Sequence, residues 1–339
     1  MKRLTFLLIV GLSFAAIEFS GDARFRPRYD VKEYGVSSGA NKTSDFYYLY
    51  RARINMKADI GEGWFFNAKL GTNSVAGMTK MSPGDVWDGP GNPNSSRPGF
   101  GFLELYYGYA KEDCGFWVGA FPLKYTPALD LHFYSDKLVD IPFVLYNNSS
   151  INGFAGYQVI KDKKVNWFLS VDLNNTNSEE NFLTGVQTTE KDMYTLGLNS
   201  SFDVLNFTLT PNVLLSIGDG DLPTTYGLDI GLPELSDISS SISYYMTNYD
   251  ATDGDHFRVK MTKPVGKGSM KFFYDIANME DDSMSYIWLS YTHTCYKGDA
   301  GTVTISPTYR YQDSGYVDGI FDKNYNRTKF EITTEIKFK

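Results

Sequence analysis

The sequence predicts an all-β fold, an antiparallel up-and-down transmembrane barrel of about 16 strands with short periplasmic turns and long extracellular loops. Three observations predict it. Apolar and polar residues alternate with period two along most of the 339 residues. The connections between these alternating runs are short and long in turn. Aromatic residues make up 16% of the chain and gather near the ends of the runs.

The N-terminus departs from this texture. Lys2 and Arg3 precede an apolar run over 4–16 that closes on the small residues Ser13, Ala15 and Ala16. A basic start, a short apolar stretch and a small-residue exit make a secretory signal peptide. The run is too short to span a bilayer as a helix; its competing reading is a buried N-terminal strand. No linker, charge block or composition shift divides the remainder. The expected organisation is therefore a signal peptide at 1–16 and one barrel domain at 17–339.

Each segment then follows from its alternation. In the first, Ile17, Phe19, Gly21, Ala23, Phe25 and Tyr29 share one face, against Glu18, Ser20, Asp22, Arg24, Arg26 and Arg28. Successive side chains of a strand point to opposite sides, so this pattern gives one apolar and one polar sheet face. The second segment sets Phe46, Tyr48, Tyr50 and Ile54 against Tyr47, Leu49, Arg51, Arg53 and Lys57. The last sets Phe330, Ile332, Ile336 and Phe338 against Arg327, Lys329, Glu331 and Glu335. Similar runs fall near 64–73, 100–110, 115–122, 151–160, 165–173, 192–200, 205–217, 226–232, 237–247, 256–263, 269–277, 285–296 and 302–311.

Short connections are expected at 61–63, 111–114, 161–164, 201–204, 233–236, 264–268 and 297–301. Long ones are expected at 30–45, 74–99, 123–150, 174–191, 218–225, 248–255, 278–284 and 312–326. A soluble β-sandwich has no reason to send every second loop to one end, whereas a membrane barrel does. Many runs have the length that a tilted strand needs to cross a bilayer. Outward aromatics near strand ends, among them Tyr29, Phe46, Tyr48, Trp64, Phe66, Tyr107, Tyr109, Tyr226 and Tyr311, suit the headgroup zone.

With this plan, and a last strand ending in Phe338, the chain resembles outer-membrane porins of the alginate-export-like and general-diffusion kinds. The stretches FSGDARFRPRYD (19–30) and DLHFYSDKLVDIPFVLYNNSSINGF (130–154) resemble the first strand and third-loop region of such proteins. Lys339 after Phe338 departs from the usual terminal aromatic. The resemblance implies a location in the bacterial outer membrane, contact with its lipid and passage of ions or small hydrophilic solutes. It also implies a third loop folded into the lumen as a constriction, and a homotrimer. The third-loop residues concerned are Asp130, His132, Asp136, Lys137 and Asp140; an external lid is the other reading of that loop.

Alternation turns Arg24, Arg26, Arg28, Arg51, Arg53 and Lys57 inward on adjacent strands, with Lys69 beside them on the third. Cations facing lipid would be expensive, so this basic wall needs water or counter-charges. Glu18, Asp22, Asp59, Glu104, Asp130, Asp136 and Asp140 are candidates. Such a wall tunes ion preference, toward anions, or only keeps the lumen wet; both readings stay open. Inward Tyr47, Phe65, Tyr106 and Phe168 read as filler or as a stacking track for sugars. A barrel with a closed lumen, acting as a structural protein or adhesin, is the alternative function.

Other chemistries find little support. The formal charge of −8 argues against nucleic acid as a partner. Cys114 and Cys295 are too few for a disulfide framework and have no metal spacing. His132, His256 and His293 have no nucleophile motif beside them, so no enzyme is expected. Residues 266–269 lack the phosphate-loop pattern and read as a turn, and the acidic stretches at 218–221 and 250–255 do not match a calcium loop. No cofactor is expected.

Overall fold

The computed structural model describes residues 17–34, 42–72, 79–81, 100–122, 150–173, 193–218, 224–248, 254–279, 282–315, 317–318, 321–322 and 325–339. The expected signal peptide lies outside the described residues. In chain order the long strands are β1 (Ile17–Tyr34), β2 (Lys42–Gly61), β3 (Trp64–Thr72), β4 (Phe100–Ala110), β5 (Cys114–Pro122), β6 (Ser150–Ile160), β7 (Lys163–Leu173) and β8 (Met193–Ser200). They continue as β9 (Phe207–Gly218), β10 (Thr224–Gly231), β11 (Ser239–Asn248), β12 (Gly254–Val265), β13 (Gly268–Met279), β14 (Asp282–Gly298), β15 (Gly301–Ser314) and β16 (Tyr325–Phe338). Thr79–Met81 pairs with β2 beyond the end of β3, and Phe202–Val204 extends β8 against β9.

Each strand pairs antiparallel with the next, and β16 returns to β1 with Gly21 opposite Phe338 and Tyr34 opposite Tyr325. The sheet is a closed 16-strand barrel. Closure is what a membrane demands, because an open edge would carry unpaired N–H and C=O groups into hydrocarbon.

Burial runs opposite to that of a soluble protein. Large apolar side chains point outward and stay exposed, including Phe19 at 56%, Tyr107 at 57% and Ile336 at 52%. Charged and polar groups point inward and are buried, Asp275 at 0% and Arg51 at 3% among them. Only a hydrocarbon surround makes this arrangement favourable. Outward rings meet at several places along the wall: Trp64 meets Tyr109 at 5.4 Å near the turns, and Phe25 stacks on Tyr48 at 5.2 Å farther along.

Bulky inward rings lie flat along the wall where a neighbouring strand supplies a glycine. A Cβ at Gly197 would strike the Phe168 ring, and one at Gly227 the Tyr245 ring. The same neighbours bring Leu214 into one buried cluster with both rings. Phe168 and Tyr245 are thus wall packing, and Tyr47 is held to the wall by its hydroxyl, which donates to Asp30 at 2.8 Å.

Several expected boundaries are corrected. β1 runs on to Tyr34 and β2 starts at Lys42, so the first long connection is 35–41 and not 30–45. The connection expected at 278–284 is only 280–281, since β13 and β14 carry their alternation through both rims. The turn expected at 201–204 is at 205–206, where Leu205 (φ 49°) and Asn206 (φ 71°) form a tight reversal. Leu205 looks like a strand residue in an apolar alternation, which hid that turn. Lys161 and Asp162, and Ser236 and Asp237, make the same two-residue turn. Both central residues need positive φ, a conformation that suits Asn, Asp and Gly. Leu205, 87% exposed, packs against little to offset its strain. Leu205→Asn should therefore raise stability by about 1 kcal/mol in urea unfolding from vesicles; a loss of stability would contradict this account of the turn.

Candidate functional site: the charged inner wall

Closure places β1 between β2 and β16, and the polar faces of all three point inward. Register sets Arg28 opposite Glu331 and Arg24 opposite Glu335 on one side, and Arg24 opposite Arg51 on the other. Farther round, Arg310 of β15 stands opposite Lys329. Like charges directly across a strand pair repel, and two carboxylates here, Glu331 and Asp22, each serve more than one arginine.

Glu331 is the centre of the largest group, with its side chain at 0% exposure. It accepts from Arg28 Nε at 2.7 Å and from Arg310 Nη2 at 2.6 Å, and Arg26 Nη1 lies 3.7 Å away. Arg26 Nε donates to Thr333 Oγ1 at 2.6 Å. The Arg310 guanidinium also covers the Trp288 ring at 3.7 Å.

Asp22 forms a second group. It accepts from Arg53 Nε at 2.7 Å and Arg51 Nη2 at 3.1 Å, with Arg24 Nε at 4.0 Å. Arg24 Nε itself donates to Glu335 at 2.6 Å. Asp30 takes both a fork from Arg327, at 2.8 and 2.7 Å, and the Tyr47 hydroxyl. Lys69 pairs with Glu104. Lys57 is exposed near the turn end of β2.

The seven inward cations read from sequence therefore share one wall over β1, β2 and β3. Two of the expected counter-charges, Asp22 and Glu104, lie against them. Glu18 is exposed, and Asp59 accepts the Gly61 backbone N–H at 2.9 Å instead of meeting a cation. The third-loop residues Asp130, His132, Asp136, Lys137 and Asp140 lie outside the described residues. Glu331, Glu335, Asp30, Arg327 and Arg310 escaped the sequence reading as partners of this wall. The available signal was the alternation of the last strand, joined to the requirement that a barrel closes first strand on last.

A separate buried group occupies β12 and β13. Arg258 Nε donates to Asp275 at 2.5 Å, and His256 Nε2 lies 3.3 Å from the same oxygen. The wall from β8 to β11 differs sharply in composition. Among its described residues there is no Lys or Arg. Its inward groups are Asn199, Asn212, a Thr225–Thr247 hydroxyl pair at 2.7 Å, and Asp229, which accepts from Tyr245, Ser243 and Asn212. The interior is therefore basic on one side and cation-free, with a carboxylate, on another. Cys114 and Cys295 are both free thiols.

A closed sheet with lipid-compatible outer residues and a charged interior defines a membrane barrel, and its architecture is that of the bacterial outer-membrane porins. No family model and no curated protein matches the sequence. Among solved structures, the barrel is similar to an anion-selective porin from Comamonas acidovorans, with a TM-score of 0.58 and 11% identity over 96% of this chain and 100% of that one. It is similar to a mutant of the Rh. blastica porin at a TM-score of 0.58 and 11% identity, covering 95% of this chain and 100% of that one. OmpT of Vibrio cholerae, an outer membrane protein in a trimer form, gives a TM-score of 0.54 and 10% identity over 96% and 100% of the two chains.

Removing the carboxylate at the centre of the largest group leaves three arginines without it. Glu331→Gln should cost roughly 3 kcal/mol, the scale for breaking a buried ion pair, and rising salt should recover part of it. Lys42→Gln, which breaks an exposed pair with Glu33, should cost under about 0.5 kcal/mol. Urea unfolding of both refolded variants measures the difference; equal losses would contradict a central role for Glu331.

Proposed function

We propose that this chain is a passive diffusion channel for ions and small hydrophilic solutes with a preference for anions. The observation that carries the reading is the grouping of cations on the inner wall. From β15 to β3 that wall holds Arg24, Arg26, Arg28, Arg51, Arg53, Lys57, Lys69, Arg310, Arg327 and Lys329. The inward carboxylates on the same strands are fewer: Asp22, Asp30, Glu331, Glu335 and Glu104, with Glu18, Asp45 and Asp59 exposed toward the strand ends. Excess fixed positive charge in a narrow aqueous passage raises the local concentration of anions and repels cations. The cation-free wall at β8–β11 adds a sideways field, which turns a dipolar solute as it passes. Likeness to a neighbour described as anion-selective supports the same reading, and the trimer form of another supports assembly as a homotrimer.

The test is single-channel conductance of the refolded protein in a planar bilayer, with the reversal potential taken under a salt gradient. Discrete steps and an anion-side reversal are expected. Lys57→Glu replaces an exposed cation, and should move the reversal potential toward the cation side without loss of folding. Steps with no ion preference would remove the selectivity and leave the channel. A folded barrel that conducts nothing would overturn the channel and favour the closed-lumen structural or adhesin barrel.

A further inference from the structure

The outer wall carries a feature that the channel reading does not use: an apolar groove of about 530 Å³ across β13–β16 and β1–β2. Two outward rows of side chains define it. The upper row is continuous in register, Leu289 to Tyr309 to Phe330 to Tyr29 to Phe46, and forms an aromatic bank. The lower row contains Pro307 and Pro27, whose short rings leave the hollow, with Ile332 opposite Pro307. A long side chain at either proline position would fill the space.

The lower row continues past the groove into charge. Tyr291 stands opposite Met270, and Met270 opposite Lys263. Lys263 is exposed and lies between outward Met261 and Val265, and exposed Lys267 is in the adjoining turn. The groove thus runs along the barrel surface from an aromatic bank to a pair of lysines near the turn rim. The acidic residues of this rim stand on the flanking turns, Glu234 and Asp237 on one side and Asp299 on the other.

We propose that this surface is a binding site for one anionic phospholipid, with an acyl chain in the groove and the phosphate at Lys263 and Lys267. A lining whose accessible surface is almost wholly apolar takes a hydrocarbon chain and offers little to select a sugar or peptide. Charge complementarity selects the headgroup, because a lysine at a membrane surface attracts anionic lipid while its stem stays in the apolar zone. The site needs the barrel to lie in a bilayer but does not need the lumen to conduct, so it stands or falls apart from the channel.

The protein is reconstituted in nanodiscs of phosphatidylcholine with phosphatidylglycerol, released into detergent and weighed by native mass spectrometry. Wild type is expected to retain one phosphatidylglycerol in preference to phosphatidylcholine. Lys263→Gln and Lys267→Gln should each lower that retention about fivefold, the factor one lysine near an anionic surface is worth. Ile332→Trp should fill the groove and lower retention of both lipids, while Lys163→Gln, on β7, should change nothing. Heat-modifiable electrophoretic mobility confirms that each variant is folded. Equal retention of the two lipids by wild type, or undiminished retention in the double lysine variant, overturns the proposal. So does an Ile332→Trp barrel that changes its number of subunits and not its lipid, since the groove would then be a contact between copies.

Discussion

Pairing of the first strand with the last is the constraint on which this molecule depends. A sheet of this size left open would present two rows of unsatisfied backbone groups to hydrocarbon, and each such group costs several kcal/mol. Closure removes both edges together. It also makes an interior, and everything polar in the chain is sorted by which side of the closed wall it occupies. Arg24, Arg26 and Arg28 are tolerable because the closed wall turns them away from lipid. The same act places Glu331 and Glu335 against them.

Wall chemistry then follows from register. Cross-strand neighbours in a sheet are fixed within a residue, and a slip by one would turn every arginine of β1 outward. Ion pairs such as Arg28–Glu331 and Arg327–Asp30 hold the seam in register, since they satisfy their partners only in one alignment. In the sector from β8 to β11 and at its border with β7 the locks are neutral: Asn166 of β7 donates to Asn199, and Thr225 pairs with Thr247. That sector needs no counter-charge, which leaves Asp229 to be held by hydroxyl and amide donors.

Much of this was legible in the sequence, because period two survives any uncertainty about strand ends. All sixteen strands fall on segments that alternation marks, and the inward direction of Arg51 or Lys69 follows from parity alone. Strand ends were less legible: Asp30 and Lys32 read as loop because alternation fades past Tyr29, although the strand continues. The partners of the basic wall were least legible. Sequential hairpins show which neighbours β2 and β3 acquire, but the neighbour of β1 is found only by joining the ends. The His256–Asp275–Arg258 group was missed for a related reason, as parity gives each residue a side but not the height at which it meets another strand. The outward groove depends on two prolines in different strands reaching one level, which no single alternating run reveals.

The seam has a consequence in time as well as in space. Arg24 and Glu335 lie 311 positions apart, so their contact is among the last that a growing chain is able to make. Until β16 arrives, β1 is an exposed edge with half its backbone groups unpaired, and such edges recruit other strands. Contacts this distant in sequence also carry a large loop-closure cost and slow assembly. The chain must therefore be kept from aggregating over its whole length before any of its wall is finished. A few residues lost from the C-terminus would do more harm than the same number lost from a rim, because they would leave the cylinder with a slit.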